Sequence, residues 1–220
     1  MIQAENNKIT LCGTVCGDAV FSHEVFGEKF YCLQIEIKRM SGQSDILPVV
    51  ISERLADIDD LKTGKRIQVE GQLRSYNILT DPQKSKLQLQ TFAREIKEPE
   101  TEYDVNRITL DGYICKPPIY RVTPFSREIA DILLAVNRAY GKSDYIPLIC
   151  WGRAARYCQQ LKVGDNIAIE GRLQSREYQK KIDEENVVTK VAYEVSVAKL
   201  AYKEPETKDT EPEDNSENEE

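Results

Sequence analysis

Residues Ser143–Ser175 read SDYIPLICWGRAARYCQQLKVGDNIAIEGRLQS. The first ten form an apolar, strand-like run that reaches Trp151, the only tryptophan of the chain, just before a glycine. The next nine, RAARYCQQL, place Ala154, Tyr157 or Cys158, and Leu161 at the spacing of a short amphipathic helix. Gly164-Asp165 supplies a turn, and Ile167, Ile169, Gly171 and Leu173 then alternate as a half-buried strand with a glycine inside it. Residues Ser44–Ser75, SDILPVVISERLADIDDLKTGKRIQVEGQLRS, follow the same plan in a paler version.

The likeness extends outward in both directions. Asn7-Lys8-Ile9-Thr10-Leu11-x-Gly13 returns 99 residues later as Asn106-Arg107-Ile108-Thr109-Leu110-x-Gly112. At the same offset Arg39, Gly42, Ser44, Asp45 and Pro48 match Arg138, Gly141, Ser143, Asp144 and Pro147. One residue further on, Leu61-Lys62-x-Gly64 and Glu70-Gly71-x-Leu73 match Leu161-Lys162-x-Gly164 and Glu170-Gly171-x-Leu173. A near-constant offset over so many positions is an internal duplication.

Each copy reads as five strands and one helix. Strand one alternates Ile9, Leu11, Gly13, Val15 (Ile108, Leu110, Gly112, Ile114), and its glycine marks a bend or bulge of the kind that closing a small barrel requires. Strand two covers Phe30 to Arg39 and Ile129 to Arg138; strand three covers Ile46 to Ile51 and Tyr145 to Trp151. The helix follows, with Leu55, Ile58 and Leu61 as its apolar positions in the first copy. Strand four is Ile67 to Leu73 and Ile167 to Leu173, and strand five is Leu87 to Ile96 and Ala192 to Leu200. Strands 1-2-3, helix, 4-5 is the order of the OB-fold, so an all-β chain of two tandem five-stranded OB-fold barrels is expected, each with one short helix between strands 3 and 4.

This divides the chain into a first domain at 1–97, an acidic proline-bearing linker at 98–105, a second domain at 106–203 and a tail at 204–220. From Lys203 onward the chain reads KEPETKDTEPEDNSENEE, with no apolar residue, which predicts a disordered acidic tail. The overall net charge of −7 hides an uneven distribution. Residues 1–105 carry a net −4, residues 106–203 a net +5 with 16 basic side chains, and residues 204–220 a net −8. The basic copy is the one that asks for an anionic partner.

Several classes fall away. No run approaches the roughly 18 consecutive apolar residues of a membrane helix. The start, MIQAENNKITL, has no cationic lead and apolar core, which predicts a cytoplasmic, nucleoid-associated protein rather than a secreted one. The six cysteines form no CxxC pair and mostly sit in strand-like runs, which predicts free core thiols with neither disulfide nor zinc. Phosphate-loop, HExxH and GxSxG motifs are missing, and the single histidine, His23, lies in a loop-like Ser22-His23-Glu24. No catalysis, cofactor or metal is expected.

What remains is a constellation in the second copy. Tyr145 and Trp151 are six apart on one strand, so at period two they share a face. Tyr178 follows strand four and Tyr140 lies on the loop between strands 2 and 3. Arg138, Lys142, Arg153, Arg156, Arg172, Arg176, Lys180 and Lys181 are interleaved with them. Rings in a cationic groove suit single-stranded nucleic acid, because bases stack on the rings for about 1–3 kcal/mol each while Lys and Arg neutralise the backbone. The counterparts of Tyr145, Trp151 and Tyr178 are Ile46, Ser52 and Ile78, so the barrel folds without rings there and the rings of the second copy point to function. Tyr157, on the helix, reads as core.

Both copies resemble the domain of bacterial single-stranded DNA-binding proteins. In the second copy the likeness lies in Asn106–Ile114, in Asp144-Tyr145-Ile146-Pro147-Leu148-Ile149-Cys150-Trp151-Gly152-Arg153, in Leu161-x-Val163-Gly164-Asp165 and in Ile169–Tyr178. The resemblance implies an OB-fold that stacks bases on Tyr145, Trp151 and Tyr178, acting in DNA replication, repair or recombination. It implies four OB domains per assembly, hence a homodimer of this two-copy chain, and replication or repair proteins as partners of the acidic tail. The first copy matches the scaffold (Val69-Glu70-Gly71-Gln72-Leu73-Arg74-Ser75) without those aromatics, and would extend the DNA path through Arg39, Arg74 and Tyr76. The last residues, Asn218-Glu219-Glu220, depart from the family's Pro-Phe tip. Two other readings fit the same pattern: a tandem-OB protein-interaction adaptor, and an RNA binder, since stacking does not read the 2′-hydroxyl.

Overall fold

The computed structural model describes residues 6–77, 87–181 and 187–203. The first repeat forms β1 (Asn7–Val15), β2 (Val20–Val25), β3 (Glu28–Lys38), β4 (Ser44–Ser52), β5 (Arg66–Asn77) and β6 (Leu87–Lys97). The second forms β7 (Val105–Ile114), β8 (Ile119–Val122), β9 (Glu128–Asn137), β10 (Ser143–Trp151), α1 (Arg153–Cys158), β11 (Asn166–Lys181) and β12 (Val187–Lys203). Pairing runs β1–β5–β6–β4–β3 and returns to β1, closing one five-stranded barrel. The series β7–β11–β12–β10–β9 returns to β7 and closes the other. Within each ring one ladder is parallel, β4–β6 and β10–β12; the rest are antiparallel. This is the OB-fold, twice. Among the described residues no helix is long and apolar enough to cross a membrane.

The alternation read from sequence is what fills the barrels. Leu11, Ile35, Leu47, Ile51, Ile67 and Leu73 point into the first core, and Leu110, Leu134, Ile146, Ile167 and Leu173 into the second. Each such side chain contributes about 1.5–3 kcal/mol on burial. The glycines do the bending. β1 pairs with β7 ahead of Gly13 and with β3 after it, and a Cβ at Gly13 would stand 2.4 Å from the carbonyl oxygen of Glu36. Gly71 and Gly171 sit at register shifts where β5 meets β6 and β11 meets β12.

Tyr157, expected in the core, is 41% exposed on α1, and two further features depart from the sequence reading. His23 is in strand β2, not a loop; β2 and β8 are arms hydrogen-bonded to β3 and β9 outside each ring. All six residues of β2 are exposed, so there is no apolar alternation to betray it. The expected first-copy helix is a single 3₁₀ turn, Ile58–Asp60. Asp57 accepts a hydrogen bond from the Asp59 N–H at 3.0 Å, and three aspartates within four residues favour a capped turn over a helix. The segment 98–104 between β6 and β7 is tied down: Arg66 ion-pairs with Asp104, which also accepts the Lys38 N–H at 2.7 Å. The acidic tail at 204–220 lies outside the described residues.

The two barrels meet across a pseudo-two-fold seam. β1 and β7 pair antiparallel from Asn7↔Leu110 to Cys12↔Val105, and Ile9 faces Ile108, its own repeat equivalent. Flanking this ladder are two matching clamps. The carboxylate of Asp45, fully buried, accepts both Nε (2.6 Å) and Nη2 (2.5 Å) of Arg39 and the backbone N–H of Ser175 in the other repeat (2.9 Å). Asp144, also fully buried, takes the same fork from Arg138, the N–H of Ser75 (2.6 Å) and Nη1 of Arg74 (3.0 Å). In return the Ser75 hydroxyl accepts the Tyr145 N–H at 2.8 Å, and the Ser175 hydroxyl accepts that of Ile46 at 3.3 Å.

Candidate nucleic-acid interface

Strand β10 presents Tyr145, Pro147, Ile149 and Trp151 on one face, as period two requires, with Tyr145 46% and Trp151 39% exposed. Trp151 Nε1 donates to the Ser196 hydroxyl of β12 at 3.3 Å, which holds the ring against the sheet. On β11 the same outward period carries Arg172, Gln174, Arg176 and Tyr178, paired across to Ser196, Glu194, Ala192 and Lys190 of β12. The Arg176 guanidinium lies 5.8 Å from the Tyr178 ring centroid and its Nε 3.6 Å from Glu194. Glu194 also accepts from Gln174 at 2.8 Å.

Between this face and the neighbouring barrel runs a cleft of about 610 Å³. Trp151, Arg172 and Arg176 line it together with Arg127 from the β8–β9 turn and with Arg39 and Gln43 of the first repeat. Arg172 is its most telling cation. Its Nη2 donates to Gln174 at 3.2 Å, whereas its Nε is buried and has no hydrogen-bond partner among the described residues. Burial and then the Arg39 guanidinium push its pKa down, with Asp45 opposing. A desolvated guanidinium short of acceptors and beside a second one is an environment that an anion improves.

The other residues anticipated from sequence are dispersed. Arg138 is turned inward onto Asp144 and the Ser75 carbonyl (3.1 Å), so it serves the clamp rather than the open face. Arg39 and Arg74 are likewise ion-paired, to Asp45 and Asp144. Tyr140 is 98% exposed on the β9–β10 loop with a φ of 62°, beside an exposed Lys142, and neither lines the cleft. Arg153 is exposed at the start of α1, and Arg156 pairs with Glu128 at 3.4 Å. Lys180 and Lys181 lie in β11 with side chains outside the described residues. Sequence reasoning missed Arg127, Gln43 and the Asp–Arg–Ser clamps; the clamps had a signal, since Arg39, Asp45 and Ser75 recur as Arg138, Asp144 and Ser175. Among the described residues no group of His, Cys, Asp and Glu is placed to hold a metal.

Residues 105–200 match the family described as the single-strand binding protein family. The second repeat is thus similar to that family. Among curated single-strand binding relatives, single-stranded DNA-binding protein A of Bacillus subtilis (strain 168) is 34% identical over 97 residues, 41% of this chain and 56% of the relative. The single-stranded DNA-binding protein of Clostridium tetani (strain Massachusetts / E88) is 33% identical over 94 residues, 40% of this chain and 65% of the relative. The chain thus spans less than two thirds of the length of these single-strand binding relatives. A deletion mutant of the single-stranded DNA binding protein from Thermus aquaticus superimposes with a TM-score of 0.72 at 23% identity, covering 93% of this chain and 98% of that one. The arrangement of both barrels, not only one, is therefore shared with a solved single-strand binding fold.

Proposed function

We propose that the protein binds single-stranded DNA in a sequence-tolerant way, in DNA replication, repair or recombination. The second barrel supplies the main stacking surface and phosphate contacts. The observation that carries this reading is Trp151, half-exposed in a cleft where four arginines, Arg39, Arg127, Arg172 and Arg176, outnumber two carboxylates, Glu177 and Glu194. A ring face offers every base the same stacking partner, and the arginines neutralise phosphates without reading sequence. Nothing in this arrangement calls for a catalyst.

Around that centre the reading assigns Tyr145 and Tyr178 as further stacking rings, and Tyr140, Lys142, Arg153 and Lys180 as peripheral contacts. The chain divides at 98–105 into two domains, 1–97 and 106–203. Two copies would present four barrels, and the protein would act in the cytoplasm on nucleoid DNA. The family match over residues 105–200 and the relatives, which are single-stranded DNA-binding proteins, support the ligand class.

Trp151 is the single tryptophan, so its emission tests the reading directly. Oligo-dT should quench it, and affinity should fall with rising salt at a log–log slope near −3, about −0.7 for each of roughly four phosphates neutralised. Trp151→Ala should weaken binding about 5- to 150-fold, the equivalent of one lost stack. An oligo-dT that fails to bind at low salt would overturn the proposal and favour a protein-binding role for the cleft.

A further inference from the structure

The first barrel looks bare only when it is compared with the second at a fixed sequence offset. Ser52 stands where Trp151 does, yet strand register shows a ring next door. In the parallel ladder of the first barrel Val50 is opposite Phe92; in the second Ile149 is opposite Ser196. Phe92 therefore holds the structural place of Ser196, the residue whose hydroxyl bonds Trp151. A ring and a serine have changed places between neighbouring strands: Trp151 with Ser196 in one barrel, Ser52 with Phe92 in the other.

Phe92 does not stand alone. The exposed Arg94 holds its guanidinium 5.4 Å from the Phe92 centroid and donates to Gln72 at 3.2 Å. The Phe30 ring lies 5.8 Å from Phe92 and tilted by 35°, and the exposed His23 ring stacks on Phe30 at 4.8 Å with an interplanar angle of 6°. By register the places of Phe30, Phe92 and Arg94 are held in the second barrel by Ile129, Ser196 and Ala198, so this row is particular to the first. Glu28, the carboxylate beside Ser52, accepts that serine's hydroxyl and is bridged by Arg54 at 3.3 Å, which limits the negative charge facing the row.

We propose that the row His23–Phe30–Phe92–Arg94 is a second base-stacking site for single-stranded DNA, displaced by one strand from the place Trp151 occupies. His23, stacked by one face on Phe30, presents its other face to an unpaired base, Phe92 continues the apolar row beneath the strand, and Arg94, lying over Phe92, meets the adjoining phosphate. The inference rests on the reading of the Trp151 face as a single-stranded DNA surface. It adds that the first barrel binds through residues of its own.

The test moves the reporter. In a protein carrying Trp151→Phe and Phe92→Trp the sole tryptophan stands in the first barrel. An oligo-dT of about 35 nucleotides, long enough for two OB barrels at up to ~16 nucleotides each, should quench it, with binding followed independently by polarisation of a labelled strand. Arg94→Glu, an exposed change that leaves the core alone, should weaken the long oligonucleotide about 5- to 20-fold and a dT of about 10 nucleotides less than twofold. A labelled strand that binds while the relocated tryptophan stays unquenched, or an Arg94→Glu protein with unchanged long-strand affinity, overturns this site while leaving the Trp151 reading intact. Failure of wild-type Trp151 to respond overturns both.

Discussion

Asp144 offers the sharpest test of how the two barrels are held. Asp144→Ala removes a fully buried carboxylate that receives a fork from Arg138, one bond from Arg74 and the backbone N–H of Ser75. Stranding the partner of a buried ion pair costs about 3–5 kcal/mol. The Arg138 and Arg74 side chains retain 27% and 19% exposure, so water reaches them and the lower end, about 3 kcal/mol, applies. The Ser75 N–H adds about 1 kcal/mol when left without an acceptor. The total of about 4 kcal/mol, divided by a urea m-value near 3 kcal/mol/M for a chain of this size, lowers the unfolding midpoint by about 1.3 M. Asp45→Ala strands the Ser175 N–H in the same way but only one guanidinium, that of Arg39, so it should cost somewhat less than Asp144→Ala, which strands two. In a double-mutant cycle, Arg138→Ala in the Asp144→Ala background should add little, the mark of one shared interaction. A midpoint shift below about 0.3 M, or Asp45→Ala proving the more damaging, would refute the reasoning.

Three further outcomes are expected. Gly171→Ala would place a methyl 2.3 Å from the Ser196 carbonyl oxygen and should cost about 1–3 kcal/mol in thermal unfolding, whereas Gly17→Ala, with open space around it, should be neutral. Burial pushes the thiols of Cys16, Cys32 and Cys115 above the ordinary cysteine value, so less thiolate is present near neutrality. At about pH 8 they should react with a disulfide reagent more slowly than free cysteine, and faster as pH rises; a native rate equal to that of free cysteine would contradict this. Deleting residues 204–220, which carry nine carboxylates, should tighten oligo-dT binding at low salt if they compete for the arginine-lined cleft, and unchanged affinity would dismiss that competition.

Much of the fold was legible because the duplication printed it twice. Gly13 and Gly112, the Ile9 and Ile108 alternation and the Glu-Gly pairs at residues 70–71 and 170–171 mark both barrels before any coordinate is known. The arms β2 and β8 were not legible, since every residue of β2 is exposed and only Tyr120 of the four-residue β8 is half-buried, which leaves no period to detect. The clamps were half legible. Arg39 and Asp45 are six apart, but the Ser175 that completes them is 130 residues away and meets Asp45 only through the seam. The first barrel's aromatic row was hidden for a different reason. Phe92 and Ser196 are structural equivalents at an offset of 104, not 99, because the second copy gains one residue before Leu161 and four more between its last two strands. Aligning residues by number compares Phe92 with Val191, and the exchange of ring and serine disappears.

The ladder that pairs Ile9 with Ile108 has a consequence for direction. Across an isologous interface between identical subunits the two halves are equivalent, and a path that crosses the axis meets the same surface twice in opposite senses. A DNA strand, by contrast, has a 5′ end and a 3′ end. Here the axis runs inside one polypeptide and its two sides differ: Ser52 with Phe92 on one, Trp151 with Ser196 on the other. A strand laid across both barrels with its 5′ end toward Trp151 is therefore a different complex from one laid the other way. Fusing the pair into a single chain gives the protein a head and a tail, and with them a polarity that a symmetric dimer lacks.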